Sequence, residues 1–176
     1  ISTPTTVYFS GSKLSHQDRI IKTLEEGGHV CLISDAGTPC ISDPGVLLLL
    51  EVIKSLPNCK VEAIPGASAL TTAVSISGIV GNQFQFLGFV PNKKGRETFI
   101  KYVTASEMSS VMYESVHRIE KLLQSFEDNF AERQVIVCRE LTKMYEEVVR
   151  GTAKEVNDYF KNNKDHIRGE FVVIVL

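Results

Sequence analysis

Tryptophan is absent from this sequence, cysteine is scarce, and neither sign of charge prevails. Each shortage closes off a class of protein. The four cysteines (Cys31, Cys40, Cys59 and Cys138) are irregularly spaced, form no CxxC pair and do not cluster with the four histidines. That spacing argues against a zinc site or any other bound metal, and the free thiols point to a reducing compartment. Cys31 and Cys138 lie inside apolar runs and read as small buried hydrophobes. No apolar stretch approaches the roughly 20 residues of a membrane span. No basic segment followed by an apolar one opens the chain, so no secretory leader is visible. With 19 Lys and Arg against 21 Asp and Glu, the net charge is −2. A protein that coats nucleic acid through bulk positive charge is thereby excluded, although a local grip on RNA is not. Internal repeats and low-complexity tracts are missing too.

What remains is a chain rich enough to fold. Of its 176 residues 43% are hydrophobic, which supports a core without staples and excludes disorder. Short apolar runs alternate with helix-patterned segments. Ser15 is placed to cap a helix to about Glu26, stopped by Gly27-Gly28. Val30–Ile33 and Lys60–Ile64 read as buried strands, with helices from Val46 to Ser55 and from about Ala67 to Ile76. This strand–loop–helix rhythm implies parallel strands joined by crossovers. Gly78, Gly81 and Asn82 mark a break. Beyond it come a strand from Phe84, a helix around Glu97–Val103, a strand Val111–Glu114 and a helix from about His117 to Phe126. Val135–Arg139 is a further strand, and Glu146–Arg150 reads as a strand or a helix end. Thr152 can cap a helix to about Phe160, with Glu155 at the capping-box position, and Phe171–Leu176 closes the chain as a strand. The pattern predicts two α/β lobes, residues 1–82 and 83–176.

Four segments stand out as carriers of chemistry. Ser34–Gly45 (SDAGTPCISDPG) follows an expected strand and leads into a helix, where open parallel sheets bind ligands. Its glycine spacing matches neither a Walker A loop nor GxGxxG, and an ordinary turn-rich connection would use the same residue types. Pro65–Ala69 (PGASA) repeats the arrangement with small residues at a helix start, which suits either close ligand approach or tight helix packing. Tyr113–Arg118 (YESVHR) ends a strand of the second lobe, with Ser115 a natural N-cap. Arg139–Lys143 (RELTK) follows another strand, where charged residues can also simply mark an exit into solvent. Lys93, Lys94, Arg96 and Lys101, against Glu97 alone, form a short basic stretch at a helix start that suits a phosphate.

Together with FQFLGFVPNKKGR (Phe84–Arg96) and the closing GEFVVIVL, these segments resemble the tetrapyrrole (corrin/porphyrin) methylase family. They are most similar to its branch that modifies small-subunit ribosomal RNA. The resemblance implies a two-lobed α/β fold, mostly parallel in the first lobe and mixed in the second. It implies an S-adenosylmethionine-dependent cytoplasmic homodimer, with the cofactor folded into the cleft between the lobes. The implied reaction is methyl transfer to the 2′-hydroxyl of a cytidine in small-subunit ribosomal RNA, whether free or in the 30S subunit. By position, Ser34, Asp35, Ala36, Gly37, Thr38, Pro65, Gly66, Ala67, Ser68, Ala69, Tyr113, Glu114 and Ser115 would contact cofactor. Lys93, Lys94, Arg96, Arg118 and Arg139, with His117 and Lys143, would face RNA. Family members open with a strand and a Pro- and Gly-containing loop that have no counterpart before Ile1, and they continue past Leu176. The chain is therefore expected to be the middle of a longer protein, with weak or absent activity by itself.

Attack by a ribose hydroxyl calls for a positioned base. Glu114, Asp35 and His117 are the candidates, and Lys143 could stabilise the developing oxyanion. Two other readings stand beside this one. A corrin or porphyrin C-methyltransferase would need a broad apolar trough instead of a base. A binding and dimerisation module would keep the fold without turnover.

Overall fold

A continuous apolar run such as that in Glu170–Val175 can be buried only in a sheet covered on both faces. The computed structural model shows such a sheet. It describes residues 2–9, 14–79 and 83–176, apart from the side chains of residues 14 and 15. The chain divides into two compact units, Ile1–Ser68 and Ala69–Leu176. The division falls ahead of the expected boundary after residue 82, because the helix that follows Ser68 packs on the sheet of the second unit. Gly81 and Asn82, part of the expected break, lie outside the described residues.

The second unit begins with α3 (Ala69–Ser77) and continues through β1 (Gln85–Phe89), α4 (Arg96–Ala105), β2 (Ser110–Ser115) and α5 (Ile119–Phe130). It then runs through β3 (Gln134–Arg139), β4 (Glu147–Thr152), α6 (Ala153–Asn162), a 3-10 turn at Lys164–His166 and β5 (Glu170–Val175). The sheet order is β1-β2-β5-β3-β4. β1 and β2 are parallel across the α4 crossover, and the other pairings are antiparallel. The mixed sheet expected of the second lobe is therefore present.

The side-chain period of two sorts this sheet. Met112, Val135, Val137, Phe171, Val173 and Val175 face one way, under Ile100, Val103, Leu122, Leu123, Phe126, Val156 and Phe160 of α4, α5 and α6. Val111, Ile136, Cys138, Val172 and Ile174 face the other way, under Ala73, Leu70 and Val74 of α3. Val173 sits at the centre, opposite Met112 on one side and Val137 on the other. Arg133 seals one end: its guanidinium donates to the carbonyls of Leu176, Val103, Thr104 and Ser106, a cation where the end of α4 presents its last carbonyls. Thr152 caps α6 and Glu155 reciprocates, completing the capping box read from the sequence. The segment at 147–152 resolves into strand β4, since it pairs along its whole length with β3. Cys138 is fully buried, and burial pushes its thiol up to about 11, so it is an inert core residue.

The first unit holds α1 (Leu14–Glu25) and α2 (Val46–Ser55). They pack through Ile20, Leu48 and Val52, joined by Tyr8, Ile21, Leu24 and Cys59. Ser15 lies inside the first turn of α1 and not before it. The strands expected at 30–33 and 60–64, and with them the parallel sheet of the first lobe, are not formed among the described residues. A strand satisfies its backbone only by pairing. These two segments run unpaired, leaving Ile33 69% and Ile64 81% exposed. Cys31 is exposed for the same reason, not buried as its apolar neighbours imply.

Among the described residues no helix is long and apolar enough to cross a membrane. Phe126→Ala, at the fully buried centre of the α5 face, should cost about 3–5 kcal/mol of unfolding free energy. Urea titration followed by circular dichroism checks this, with an unchanged midpoint as the contrary result.

Candidate active site

In the first unit the loop from Ser34 is held by its own side chains. Ser34 Oγ reaches the carbonyls of Ala36 and Gly37 at 3.2 and 2.9 Å. Thr38 Oγ1 donates across to the Ala67 carbonyl at 3.3 Å. Thus the two segments singled out separately in the sequence, 34–38 and 65–68, are brought together. A Cβ added at Gly37 would stand 3.7 Å from the same Ala67 oxygen, so the backbones run close here. Ser34 apart, which is half-buried, the residues of both segments are solvent-exposed, Asp35 included, except that Ser68 is partly covered. Among the described residues Asp35 carries no ion pair.

Farther along, Cys40 and Ser42 adopt φ of 68° and 58°, a conformation that costs a side-chain-bearing residue energy. Gly45 closes the same loop. At φ 135° it starts α2, and a Cβ there would meet Leu32 Cδ2 at 2.6 Å and Cys40 Sγ at 2.7 Å. Only glycine fits this corner. Beside it Tyr8, Asp43, Pro44, Gly45, Val46 and Leu47 line a cavity of about 230 Å³. Tyr8 was not foreseen as a lining residue, because no local motif surrounds it.

In the second unit the alternation of β2 separates the residues of the YES motif. Tyr113 faces α3, accepts a hydrogen bond from the Leu70 backbone N–H at 3.1 Å, and packs edge-to-face on Phe86 and Phe89. It thereby satisfies one of the orphan donors in the first turn of α3, which Ala69 begins. Gly88, at φ 64°, lets β1 slip register between Phe86 and Phe89, a bulge that turns Phe89 onto Tyr113.

Glu114 faces the opposite way, into the α4 and α5 layer. Its side chain is fully buried. Oε1 lies 2.9 Å from Arg118 Nη2 and Oε2 3.4 Å from Arg96 Nη1. Oε1 also accepts the Ser115 N–H at 2.7 Å. Expected as a base and a cofactor contact, Glu114 is instead a buried anchor with both oxygens engaged. Arg96 and Arg118, both expected to face RNA, turn inward for the same reason, Arg118 through all three guanidinium nitrogens and Arg96 through Nη1: a buried carboxylate needs partners. Arg96 is 8% exposed and also donates to the Pro91 carbonyl. Arg118 donates to Ser115 Oγ and the Val90 carbonyl. Arg118, not Ser115, is the N-cap of α5, and the Ser115 hydroxyl serves Arg118. His117 lies exposed in the intervening turn, and Lys93 and Lys94 are exposed ahead of α4.

The remaining expected cations are tied up as well. Arg139 is buried and pairs with Glu147 at 3.1 Å. Lys143 is half-exposed, held between Glu140 at 2.9 Å and Glu170 at 2.8 Å, and the Glu170 and Glu140 carboxylates hold its ammonium above the usual lysine range. Glu140 and Thr142 take φ of 50° and 64°, so this exit is a fixed, self-satisfied turn. Glu147 gathers Arg139, the Tyr159 hydroxyl and His166 Nδ1. Burial alone would raise its carboxyl, but the hydrogen bonds from Tyr159 and His166 and the nearby positive charges hold it below the ordinary range. The Tyr159 hydroxyl is correspondingly pushed up to about 12 by the Glu147 bond.

The chain matches the family described as Tetrapyrrole (Corrin/Porphyrin) Methylases over residues 10–157. It is 38% identical over 178 residues to the Ribosomal RNA small subunit methyltransferase I of Bacillus subtilis (strain 168), covering 99% of this chain and 59% of that protein. It is 41% identical over 158 residues to the protein of the same name from Hydrogenobaculum sp. (strain Y04AAS1), covering 89% of this chain and 67% of that one. The chain thus spans about three fifths of the length of the Bacillus relative. Among solved structures, Uroporphyrin-III C-methyl transferase from Thermus thermophilus complexed with S-adenyl homocysteine aligns with a TM-score of 0.59 at 15% identity, over 96% of this chain and 75% of that one.

Glu114→Ala should cost about 3–5 kcal/mol, since it strands the buried Arg96 guanidinium and leaves the partly buried Arg118 without its carboxylate. Denaturant titration tests it, and a cost below about 1 kcal/mol would contradict the anchoring role. A second expectation concerns acid. Glu147 is depressed in the folded state, so its contribution is complete above about pH 4.5, its ordinary value, and is lost as pH falls through the folded value. Wild type should therefore lose stability below pH 4.5 more steeply than Glu147→Gln, read by thermal unfolding across pH 2–7.

Proposed function

Because the chain belongs to the tetrapyrrole (corrin/porphyrin) methylase family, we propose that it carries out S-adenosylmethionine-dependent methyl transfer to a ribose 2′-hydroxyl of small-subunit ribosomal RNA. The observation that carries this reading is the 38% identity, across 99% of the chain, to a protein named Ribosomal RNA small subunit methyltransferase I. The cytidine, the 30S subunit as substrate, the homodimer and the cytoplasmic setting belong to the same proposal.

The residues present fit the cofactor. The Thr38–Ala67 hydrogen bond and the close backbone approach at Gly37 form an exposed cradle of polar backbone groups. Such a surface suits the hydroxyls and carboxylate of an amino-acid nucleoside. Ser34, Asp35, Ala36, Gly37 and Thr38, with Pro65, Gly66, Ala67 and Ser68, are the residues that would hold it from the first unit. When bound, the sulfonium supplies an electrophilic methyl group, and the protein supplies orientation.

The chain's own work is then to position the ribose and accept one proton. Glu114 is committed to two arginines, so Asp35 and His117, both exposed, are the groups free to serve as base. Lys143, held by two carboxylates, is a weaker choice for steadying an oxyanion. Lys93 and Lys94 remain exposed and are proposed to meet the RNA backbone.

Tritium from labelled S-adenosylmethionine should appear in small-subunit RNA, in a dinucleotide that resists alkali because its 2′-hydroxyl is blocked. Label that enters no RNA, or enters a base, contradicts the reading. Thr38→Val removes one neutral hydrogen bond and should weaken S-adenosylhomocysteine binding about threefold to tenfold, read by calorimetry.

A further inference from the structure

α4 and α5 pack against each other above the sheet, and between them lies a cavity of about 470 Å³. Lys93, Arg96, Glu97, Ile100 and Lys101 line it from the α4 side, and Lys121, Ser125 and Asn129 line it from α5. Four cations therefore face one carboxylate, and that carboxylate is already spent: Glu97 pairs with Lys101 at 2.8 Å. Lys93 and Lys121 carry no ion pair among the described residues.

The decisive group is Arg96. Its side chain is 91% buried, being 9% exposed. Nη1 serves Glu114 and the Pro91 carbonyl, while Nε and Nη2, both buried, have no hydrogen-bond partner. Buried donors of this kind are costly to leave unmet. Glu114 and the Pro91 carbonyl fix one edge of the guanidinium, so its other donors are held in one orientation. A planar, pre-oriented pair of N–H donors beside two free ammonium groups is a match for the oxygens of a phosphate. Lys121, Ser125 and Asn129 recur every fourth residue and so share one face of α5. Ser125 and Asn129 add polar groups to that face.

We propose that this cavity binds a phosphodiester of the RNA backbone through the Arg96 Nε and Nη2 donors and the Lys93 and Lys121 ammonium groups. The proposal rests on the RNA reading above for its source of phosphate, and not for the site itself. Its role would be to fix the register of the RNA while carrying no sequence information.

Two measurements on the full chain test it. In the first, the Arg96 Nε–H resonance is followed by ¹⁵N NMR while a diribonucleoside monophosphate, and separately inorganic phosphate, are added. The resonance should shift and saturate with the dinucleotide, and the response should be lost in Lys121→Gln. In the second, binding of small-subunit RNA is measured against salt. Lys121→Gln should weaken binding roughly tenfold and lower the salt slope by about one, while Lys154→Gln, on α6 and paired with Asp158, should do neither. An unmoved Arg96 resonance overturns the site. A response to inorganic phosphate alone overturns RNA as its source. RNA binding that Lys121→Gln leaves intact overturns the role in RNA. A normal dinucleotide response in a protein that methylates no RNA upholds the phosphodiester site and removes only the catalytic reading.

Discussion

A single buried carboxylate organises the functional end of the second unit. Glu114 is fully enclosed, and enclosure of an ionised group in an apolar layer is prohibitive unless each oxygen finds a partner. Arg96 comes from the start of α4 and Arg118 from the start of α5. Each arginine then secures a loop carbonyl, Pro91 or Val90. The end of β2, the turn after β1 and the first turns of two helices are thereby fixed to one point. Breaking the pair would strand charges, whereas leaving it intact costs nothing further and specifies one arrangement.

That arrangement has consequences on both faces of β2. Since adjacent strand residues point in opposite directions, spending Glu114 on the helical layer leaves Tyr113 on the α3 side, against Leu70, Phe86 and Phe89. Spending one edge of Arg96 on Glu114 leaves its other donors buried and unmatched. A motif that reads as one unit along the chain is thus distributed in space. The tyrosine is aromatic packing and a helix cap, and the glutamate is structural. The turn beyond them exposes His117.

Much of the second unit was legible in advance, because local rules and tertiary demands agree there. The capping box at Thr152 and Glu155 formed as spelled. The strands at 110–115, 134–139 and 170–175 lie where β-branched runs put them, since both faces of the sheet are covered and unbroken apolar runs suit that burial. α2 occupies Val46–Ser55 as read, bounded by Gly45 and a proline-containing turn. The first unit was less legible. Val30–Ile33 and Lys60–Ile64 have the composition of buried strands. A strand, however, is a property of two segments, and neither finds a ladder among the described residues.

The sequence by itself determined the family, the helices, the sheet-forming segments and the two loops that meet at Thr38 and Ala67. These depend on composition, period and turn chemistry, which are local. Only the tertiary structure decided which charges are available. Arg96, Arg118 and Arg139 look like surface cations in the sequence, and Glu114 looks like a free base. Whether a charged side chain meets solvent or an opposite charge depends on which elements pack above its strand, and that is set by contacts between residues far apart in the chain. The same long-range packing of α4 on α5 brings Lys93 and Lys121 to one cavity, an association no reading along the chain contains.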